Sequence, residues 1–336
     1  MNYQQSSDLL EKIKSGKKFL LNPHRGPDLD SVAAVAAMST VLNKLGKEFD
    51  IVCKDSIPES YKFVKEVFNA TKTVELEKID FKKYDFWIAL DFNTWDQGGI
   101  SITPDIQTMY LDHHPFFGLE SVASIVDTEA SSTCEILYLV FEDWGIEIDP
   151  RLATILLSGI SYDTNYFQQK NTTSKTHFVA AKLMDLGADN NYISYNVKRS
   201  NEIGTLKLWG EFNKKLKIEK GGKFAWTAIP YETYRKHLIT VSSTAEYSNM
   251  IVRSLVGTNF GITMAEKEPG VLNMSIRSRT PGFDVSLIAK DLGGNGHKDA
   301  SGASVKGLSF RDAVKKTLAA VRKHAKQKFV PEIPLD

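Results

Sequence analysis

Short apolar runs that alternate with helix-like segments are the feature that most limits how this chain can fold. Each run ends at polar or charged residues, as buried parallel strands do. The runs are Lys17 to Leu21, Ile51 to Cys53, Phe86 to Leu90 and Thr108 to Leu111. Ser31 to Leu45, rich in Ala, Val and Met, is typical of the helix that follows the first strand. The alternation predicts an α/β domain with a mostly parallel sheet flanked by helices.

Helix signals continue beyond the strands. Ser132 with Glu135 three positions later predicts a capping box for a helix that ends at Gly145. Asp149 followed by Pro150 predicts the beginning of the next helix. The α/β pattern therefore extends to about residue 195.

The pattern of strand-like and helix-like segments changes after about residue 195, which predicts a second domain. A length of 336 residues exceeds the usual single core, so two domains are expected. The predicted boundaries are residues 1–195 for the first domain, 196–219 for a helical connector and 220–330 for a smaller C-terminal α/β domain. The last of these mixes strand-like segments, such as Val271 to Ile276, with helices at Phe283 to Asp291 and Phe310 to Lys326.

Composition limits the partners of the chain. Lys plus Arg (42) nearly balances Asp plus Glu (41), so the chain lacks the basic field that follows a long phosphate backbone. A nucleic-acid substrate is therefore expected to be short. No segment has the roughly 18 consecutive apolar residues of a membrane span, and the N-terminus lacks the apolar region of a signal peptide. We expect a cytoplasmic protein without a membrane partner; whether it forms a homodimer stays open.

Carboxylates and imidazoles stand at the ends of the predicted strands and of one helix. They are His24, Asp28, Asp30, Asp91, Asp112, His113, His114 and Asp163. Asp28 and Asp30 have an equally good local interpretation, as a turn residue and a helix N-cap. Repetition at three other element ends favours a shared site, because the carboxyl ends of parallel strands lie on one edge of a sheet.

This set of side chains is typical of a site for divalent cations. Carboxylates with a few imidazoles favour Mn²⁺, with Mg²⁺ as the alternative, whereas a structural zinc site would contain thiolates. So many ligands exceed the needs of one ion. Two ions that share a bridging carboxylate, roughly 3.5 to 4 Å apart, fit the number better.

A glycine-rich segment marks the C-terminal part. Arg277 and Arg279 precede the stretch Leu292 to Gly302, which includes Asn295 and His297. Clustered glycines let backbone N–H groups approach a phosphate, and arginines can bind it in a bidentate manner. A tight turn between a helix and a strand explains the glycines equally well.

At four places the sequence resembles the DHH phosphoesterase family, named for the triplet that here is Asp112-His113-His114. The motifs, in order, are HRGPDLDS, ALDFN, LDHHP and SYDTN, and the stretch ASSTCEIL between the last two is also similar. The resemblance covers nearly the whole chain. It implies an N-terminal metal-binding phosphoesterase domain and a C-terminal substrate-binding domain.

The resemblance also implies a role for each motif residue. His24 and Asp28 would bind one ion, and Asp30, His113 and Asp163 the other, with Asp91 as the bridge. Asp112 would orient an imidazole, as ligating histidines usually require. His114 would face the substrate phosphate as a hydrogen-bond donor or general acid, so the catalytic residues would be His114 and Asp91.

The subgroup of oligoribonucleases and 3′-phosphoadenosine 5′-phosphate phosphatases is the most similar. Its Arg pair and Gly-Gly-Gly-His loop imply that Arg277, Arg279 and His297 bind phosphate or base groups, with Ser278 and Asn295 as further candidates. Asn295 stands where a Gly is usual, and DFNTWDQGG lacks an Arg that often follows the second motif. These departures bear on substrate choice more than on metal binding.

The expected function is therefore two-metal hydrolysis of short RNA or DNA oligonucleotides or of a small phosphorylated nucleotide such as 3′-phosphoadenosine 5′-phosphate. Polyphosphate or pyrophosphate hydrolysis, cyclic-dinucleotide cleavage and single-strand exonuclease action are alternatives within the same chemistry. A metal-bound nucleotide sensor is the non-enzymatic alternative.

Overall fold

The structure of the protein is a computed structural model. It describes residues 2–73, 75–100, 103–115, 118–199, 202–219, 221, 223–237, 243–280 and 282–326. The chain forms two compact units, Met1–Ser200 and Asn201–Asp336. This division falls within the segment predicted as a connector, and the helix Ile203–Lys215 belongs to the second unit.

A parallel sheet forms the centre of the first unit. Its strands are β1 (Lys18–Asn22), β2 (Glu48–Cys53), β3 (Lys72–Thr73), β4 (Phe86–Leu90), β5 (Gln107–Asp112) and β6 (Ala123–Val126). They lie in the order β3-β2-β1-β4-β5-β6, and all neighbours are parallel. The predicted mostly parallel α/β fold is confirmed.

Helices flank this sheet. They are α1 (Ser6–Ser15), α2 (Leu29–Lys44), α3 (Lys65–Phe68), α4 (Trp95–Gly98), α5 (Thr133–Asp143), α6 (Pro150–Asp163), α7 (Ser174–Asp185) and α8 (Asn190–Lys198). Helix α2 is buried along most of its length, as expected for a helix that is apolar on all sides. It packs against α5 and α6 in the main core of the unit.

The strand order places a crevice where the site residues lie. From β1 the chain moves to β2 on one side, and it later returns to β4 on the other side of β1. Ligands of open α/β sheets bind outside the carboxyl ends of the strands at such a switch point. The segments that follow β1 and β4 carry His24 and Asp91, two of the predicted ligands.

The second unit contains a mixed sheet. Its strands are β7 (Lys217–Glu219), β8 (Phe224–Ile229), β9 (Phe260–Glu268), β10 (Val271–Ser278), β11 (Asn295–Gly296) and β12 (Ala300–Lys306). They lie in the order β11-β12-β10-β9-β8-β7, and only the β8–β9 pair is parallel.

Helices pack against both faces of the mixed sheet. They are α9 (Ile203–Lys215), α10 (Tyr231–Tyr234), α11 (Ser243–Met250), α12 (Ser286–Asp291) and α13 (Phe310–His324). Side chains of α12 and α13 share one core with β10, while those of α9 and α11 share another with β8. Helix α12 begins later than the predicted Phe283, because the Asp284 carboxylate accepts hydrogen bonds from the backbone N–H and hydroxyl of Ser286.

Within the described ranges, we find no helix that combines the length and the apolar character needed to cross a membrane.

Candidate metal centre

His24 lies just after β1, and its ring is fixed from one side. Its Nδ1 donates a 2.9 Å hydrogen bond to the carbonyl oxygen of Arg25, which can only accept. Nε2 is therefore the ring nitrogen that can bind either a proton or a metal ion. It faces two carboxylates, at 3.6 Å from Asp28 Oδ1 and 3.7 Å from Asp91 Oδ2. A backbone partner that fixes the tautomer is the usual arrangement of a metal-binding imidazole.

Asp28 and Asp30 have different environments. Asp28 is the N-cap of α2, where its Oδ1 accepts a 3.1 Å bond from the backbone N–H of Ser31. Asp30 is fully buried, and its two oxygens accept the backbone N–H groups of Thr133 (2.7 Å) and Cys134 (3.1 Å) at the beginning of α5. The local interpretation of Asp30 as the N-cap is therefore wrong: Asp28, expected as a turn residue, caps α2, and Asp30 lies in its first turn. Each carboxylate oxygen still has a second lone pair for an ion.

Asp91 follows β4 and has an unusual backbone. Its φ is 70°, in the left-handed region that residues other than Gly rarely adopt. Only 2% of the residue is exposed. Its Oδ2 faces His24, whereas Oδ1 lies 3.5 Å from His113 Nε2 and accepts a 2.9 Å bond from the Thr133 hydroxyl. The two oxygens of one carboxylate therefore face different groups of side chains.

The two imidazoles of the triplet at the end of β5 lie in different environments. His113 Nε2 is buried, 3.0 Å from Asp163 Oδ2, and makes no hydrogen bond of good geometry with any described residue. His114 is 33% exposed, and its Nδ1 lies 2.8 Å from Asp112 Oδ1. The other Asp112 oxygen accepts a bond from the Asn93 amide. Asp112 therefore orients His114, not His113.

Among the described residues, ligand atoms converge in three overlapping groups, within each of which all atoms lie within 4.8 Å of one another. The groups are His24 with Asp28 and Asp91, Asp30 with His113 and Asp163, and Asp91 with His113 and His114. All six predicted ligands thus lie in the first two groups, and Asp91 connects the first group to the third.

Burial, followed by repulsion between the carboxylates, determines the electrostatics of the centre. Burial, together with the negative charge of Asp30, raises the pKa of Asp91 well above its usual range. Burial and the charge of Asp163 raise the pKa of Asp30 to about 7. Burial opposes protonation of the imidazoles, but Asp28 and Asp163 outweigh it and raise the pKa values of His24 and His113 to about 9.

These features fit divalent cations. Two ligand atoms about 2.1 Å from one ion and at right angles to each other are about 3 Å apart, close to the separation of His113 and Asp163. The crowded carboxylates favour positive charge on both imidazoles, whose pKa values are raised to about 9, and two ions bound in place of those protons would supply that charge. The assignment of individual ligands to each ion stays a prediction.

Two residues near the centre were not predicted from the sequence. Thr133 bonds both Asp30 and Asp91, and its position in the ASSTCEIL stretch was the available signal. Gly159, in α6, lies so close that a Cβ there would be 2.4 Å from Asp30 Oδ1 and from Cys134 Sγ. No local pattern marks that glycine.

In the second unit, an open cavity of about 760 Å³ lies against β10 and β12. Arg277 and Asn295 line it. The described residues that line it do not include Ser278, Arg279 or His297. Ser278 is buried and its hydroxyl donates to Thr280 O, and Arg279 Nη1 donates to Thr258 O. The substrate roles of all five residues stay predictions.

The glycine-rich loop packs closely against β12. A Cβ at Gly294 would lie 2.1 Å from Gly302 O, and one at Gly296 would lie 2.6 Å from the Ser301 Cα. The turn interpretation of these glycines therefore has a direct steric basis, which does not depend on a bound phosphate.

Taken together, the fold and the site define an α/β protein with a carboxylate- and imidazole-lined centre suited to divalent cations. Residues 18–160 match the DHH family, N-terminal domain. This match confirms the predicted resemblance to the DHH family over that part of the chain.

Relatives extend the likeness beyond that domain. The chain is 23% identical over 305 residues to the bifunctional oligoribonuclease and PAP phosphatase NrnA of Bacillus subtilis, which covers 89% of this chain and 93% of that protein. It is 27% identical over 319 residues to an uncharacterised protein of Methanocaldococcus jannaschii, covering 91% of this chain. The chain spans only 63% of that second protein, less than two thirds of its length.

A solved structure shows the same fold. The crystal structure of an exopolyphosphatase-related protein from Bacteroides fragilis matches with a TM-score of 0.87 and 20% sequence identity, over 96% of both chains.

Proposed function

We propose that this protein is a phosphoesterase that uses two divalent ions, Mn²⁺ first and Mg²⁺ as the alternative, to hydrolyse short oligonucleotides or 3′-phosphoadenosine 5′-phosphate. The observation that carries the proposal is the position of Asp91, whose two oxygens face His24 and His113 respectively. A carboxylate so placed can bridge two ions. Imidazoles among the ligands favour Mn²⁺ over Mg²⁺, which prefers oxygen.

Bound ions would lower the pKa of a water and polarise a phosphoryl oxygen. The protein's own residues would position the ligands and contact the substrate. Thr133 holds Asp91 through a hydrogen bond, and backbone N–H groups of α5 hold Asp30. His114 is partly exposed and oriented by Asp112, so it is placed to donate a hydrogen bond or a proton to the substrate.

The choice of a short nucleotide substrate has separate support. The printed function of the B. subtilis relative combines oligoribonuclease and PAP phosphatase activities, and that relative aligns over most of both chains. The balanced net charge of +1 argues against a long nucleic acid. Arg277 lines the cavity of the second unit and supplies a cation for a phosphate.

The experiment that tests the proposal is product analysis with metal-stripped protein, with and without added Mn²⁺. The substrates are 3′-phosphoadenosine 5′-phosphate, a dinucleotide, a long single strand, pyrophosphate and tetraphosphate. Asp91→Asn serves as the inactive control, because Asn tolerates the left-handed backbone at that position. We expect Mn²⁺-dependent turnover of the two short nucleotides that is lost in the variant.

Three other outcomes would contradict the proposal. Turnover of pyrophosphate or tetraphosphate alone would make the protein a hydrolase of phosphate chains. Preference for the long strand would make it an exonuclease. No Mn²⁺-dependent turnover of any substrate would favour a metal-bound nucleotide sensor.

A further inference from the structure

The side chain of Asn171 connects two backbone carbonyl groups of the first unit. Its Nδ2 donates a 2.8 Å hydrogen bond to the carbonyl oxygen of Ser131 and a 3.3 Å bond to that of Asp163. Ser131 directly precedes Ser132, the N-cap of α5, and Asp163 is the last residue of α6. One side-chain amide therefore joins the beginning of α5 to the end of α6.

The end of α6 depends on this partner. The last carbonyl groups of a helix have no donor within the helix, and among the described residues the Asp163 carbonyl accepts only the bond from Asn171. The chain then leaves the helix through Asn165, Tyr166 and Phe167, whose φ angles of 45°, 59° and 65° lie in the left-handed region. Residues other than Gly adopt that region at a cost, so such a turn persists only where its surroundings hold it.

Asn171 is itself held by α7 and α5. It lies two residues before Thr173, the N-cap of α7, which forms a capping box with Thr176. The Thr176 hydroxyl donates to the Glu135 carboxylate, which also accepts from the N–H and hydroxyl of Ser131. The donor Asn171 and its acceptor Ser131 thus belong to one network of hydrogen bonds, which does not depend on the end of α6.

The beginning of α5 also holds another predicted ligand. The backbone N–H groups of the first two residues of α5 donate to the two oxygens of Asp30. Asp30 and Asp163 belong, with His113, to one group of ligand atoms. The beginning of α5 therefore fixes both carboxylates of that group, Asp30 through N–H groups and Asp163 through Asn171.

The group formed by His24, Asp28 and Asp91 has other supports. Asp28 accepts from a backbone N–H of α2, His24 donates to a backbone carbonyl of its own loop, and Asp91 accepts from a hydroxyl of α5. None of these bonds involves Asn171. Loss of the Asn171 amide should therefore leave this group in place.

From these contacts we infer that Asn171 is a positioning residue for the ion that Asp30, His113 and Asp163 would bind. By fixing the Asp163 backbone against α5, it sets the separation of the two carboxylates in that group. The inference rests on the proposed two-ion centre. Loss of the Asn171 amide should weaken the binding of one ion and spare the other, which a general loss of packing would not do.

Calorimetric titration of Mn²⁺ into the metal-stripped, full-length protein tests this inference. Two reference variants assign the binding events: Asp163→Asn should weaken the ion of its own group, and His24→Gln should weaken the other. The test variant is Asn171→Ala. Asn196→Ala is the matched control, because the Asn196 amide also donates a 2.8 Å bond to a backbone carbonyl, that of Tyr192, but within α8.

We expect Asn171→Ala to weaken the same binding event as Asp163→Asn, by about 10-fold or more, and to leave the event lost in His24→Gln nearly unchanged. Asn196→Ala should keep both events. Urea unfolding of the metal-free proteins checks that each variant is folded. If Asn171→Ala does not fold, Asn171→Ser, which keeps one hydroxyl donor in place of the amide, decides.

Equal weakening of both binding events by Asn171→Ala, or unchanged binding of both ions, would overturn the inference. Failure of the proposed function gives different results. A wild-type protein that binds fewer than two Mn²⁺ ions contradicts the two-ion centre before any variant is compared. A wild-type protein that binds two ions without turnover of short nucleotides contradicts the proposed activity and leaves the role of Asn171 in place.

Discussion

The hydroxyl of Thr133 donates a 2.9 Å hydrogen bond to Oδ1 of Asp91, the oxygen that also faces His113. The same residue gives its backbone N–H to Asp30. The first residue of α5 therefore fixes one carboxylate from the first turn of α2 and one that follows β4, and these belong to different groups of ligand atoms.

Thr133→Val should misorient Asp91 without adding volume. Because partners of metal ligands typically contribute 10- to 100-fold to metal affinity or activity, we expect a loss of about that size in both. The measurements are Mn²⁺ titration and kcat on the best substrate. Thr133→Ser keeps the hydroxyl and should retain most of the activity; equal losses in the two variants would assign the effect to packing of the methyl group.

Mn²⁺ should stabilise the wild-type protein against heat, and Asp91→Asn should remove most of this effect. An ion at 100 times its dissociation constant adds about 2.7 kcal/mol to the free energy of unfolding. Without metal, the variant should be at least as stable as the wild type, because the repulsion between Asp91 and Asp30 is gone. The exposed Asp96→Asn is the control and should respond to Mn²⁺ normally. An undiminished response in Asp91→Asn would exclude the bridging role.

His113→Gln should mainly weaken Mn²⁺ binding, whereas His114→Gln should mainly lower kcat. His113 Nε2 is buried and lies 3.0 Å from Asp163, another predicted ligand, so its loss should weaken Mn²⁺ binding by about 10-fold or more. His114 is held by Asp112 and partly exposed, so its loss should lower kcat by about 10²- to 10⁴-fold and change Mn²⁺ affinity little. Calorimetry with Mn²⁺ and steady-state kinetics separate the two effects. If His114→Gln weakens Mn²⁺ binding as strongly as His113→Gln, His114 is a ligand.

Local sequence patterns correctly predicted elements that depend on neighbouring residues in the sequence. The strand Phe86–Leu90 was predicted with its observed bounds, because all five residues are buried and polar residues border them. The sequence predicted Asp28 as a turn residue and Asp30 as the N-cap of α2. In the structure Asp28 is the N-cap, and Asp30 is held by N–H groups of α5 more than 100 positions away. A contact between residues so far apart in the sequence cannot be predicted from a local pattern.

The capping box predicted for α5 is formed only in part, because tertiary contacts again replace a local one. Ser132 accepts a bond from the backbone N–H of Glu135, as predicted. The Glu135 carboxylate, however, accepts from the N–H and hydroxyl of Ser131 and from the hydroxyl of Thr176. The predicted reciprocal bond to Ser132 is therefore replaced, because a buried carboxylate takes the donors that tertiary packing supplies.

Asp143 should stabilise the first unit only where it is ionised. Its carboxylate accepts the backbone N–H groups of Asn2 and Tyr3 and the hydroxyl of Ser6. Burial opposes ionisation, but these bonds outweigh it and lower the pKa of Asp143. A lowered pKa in the folded state means that the contribution is present above the unfolded pKa of about 3.9 and is lost as the pH falls below it.

Asp143→Asn should therefore reduce the free energy of unfolding by about 1 kcal/mol at pH 7 and by less as the pH approaches 3. Urea unfolding at both pH values measures this. Asp8→Asn, an exposed residue of α1, is the control and should change stability little at either pH. A loss in Asp143→Asn that does not depend on pH would assign its role to shape instead of charge.

Gly159→Ala should damage both the core and the metal centre. A Cβ at this position would lie 2.4 Å from Asp30 Oδ1 and from Cys134 Sγ, and Asp30 cannot yield without losing its bonds to α5. Such overpacking typically costs about 1 to 3 kcal/mol. Because the displaced group is a predicted ligand, Mn²⁺ affinity should fall as well. Differential scanning calorimetry with and without Mn²⁺ measures both effects.

Gly210→Ala provides the matched control for that variant. Gly210 also lies within a helix, α9, but a Cβ there would meet nothing within 4 Å. Its replacement should therefore be neutral or should stabilise the protein by about 0.4 to 1 kcal/mol, since Ala favours the helix. If both variants behave alike, the close approach of Gly159 to Asp30 has no consequence for stability. If Gly159→Ala loses stability but keeps its Mn²⁺ affinity, Asp30 is a buried capping group of α5 and not a ligand.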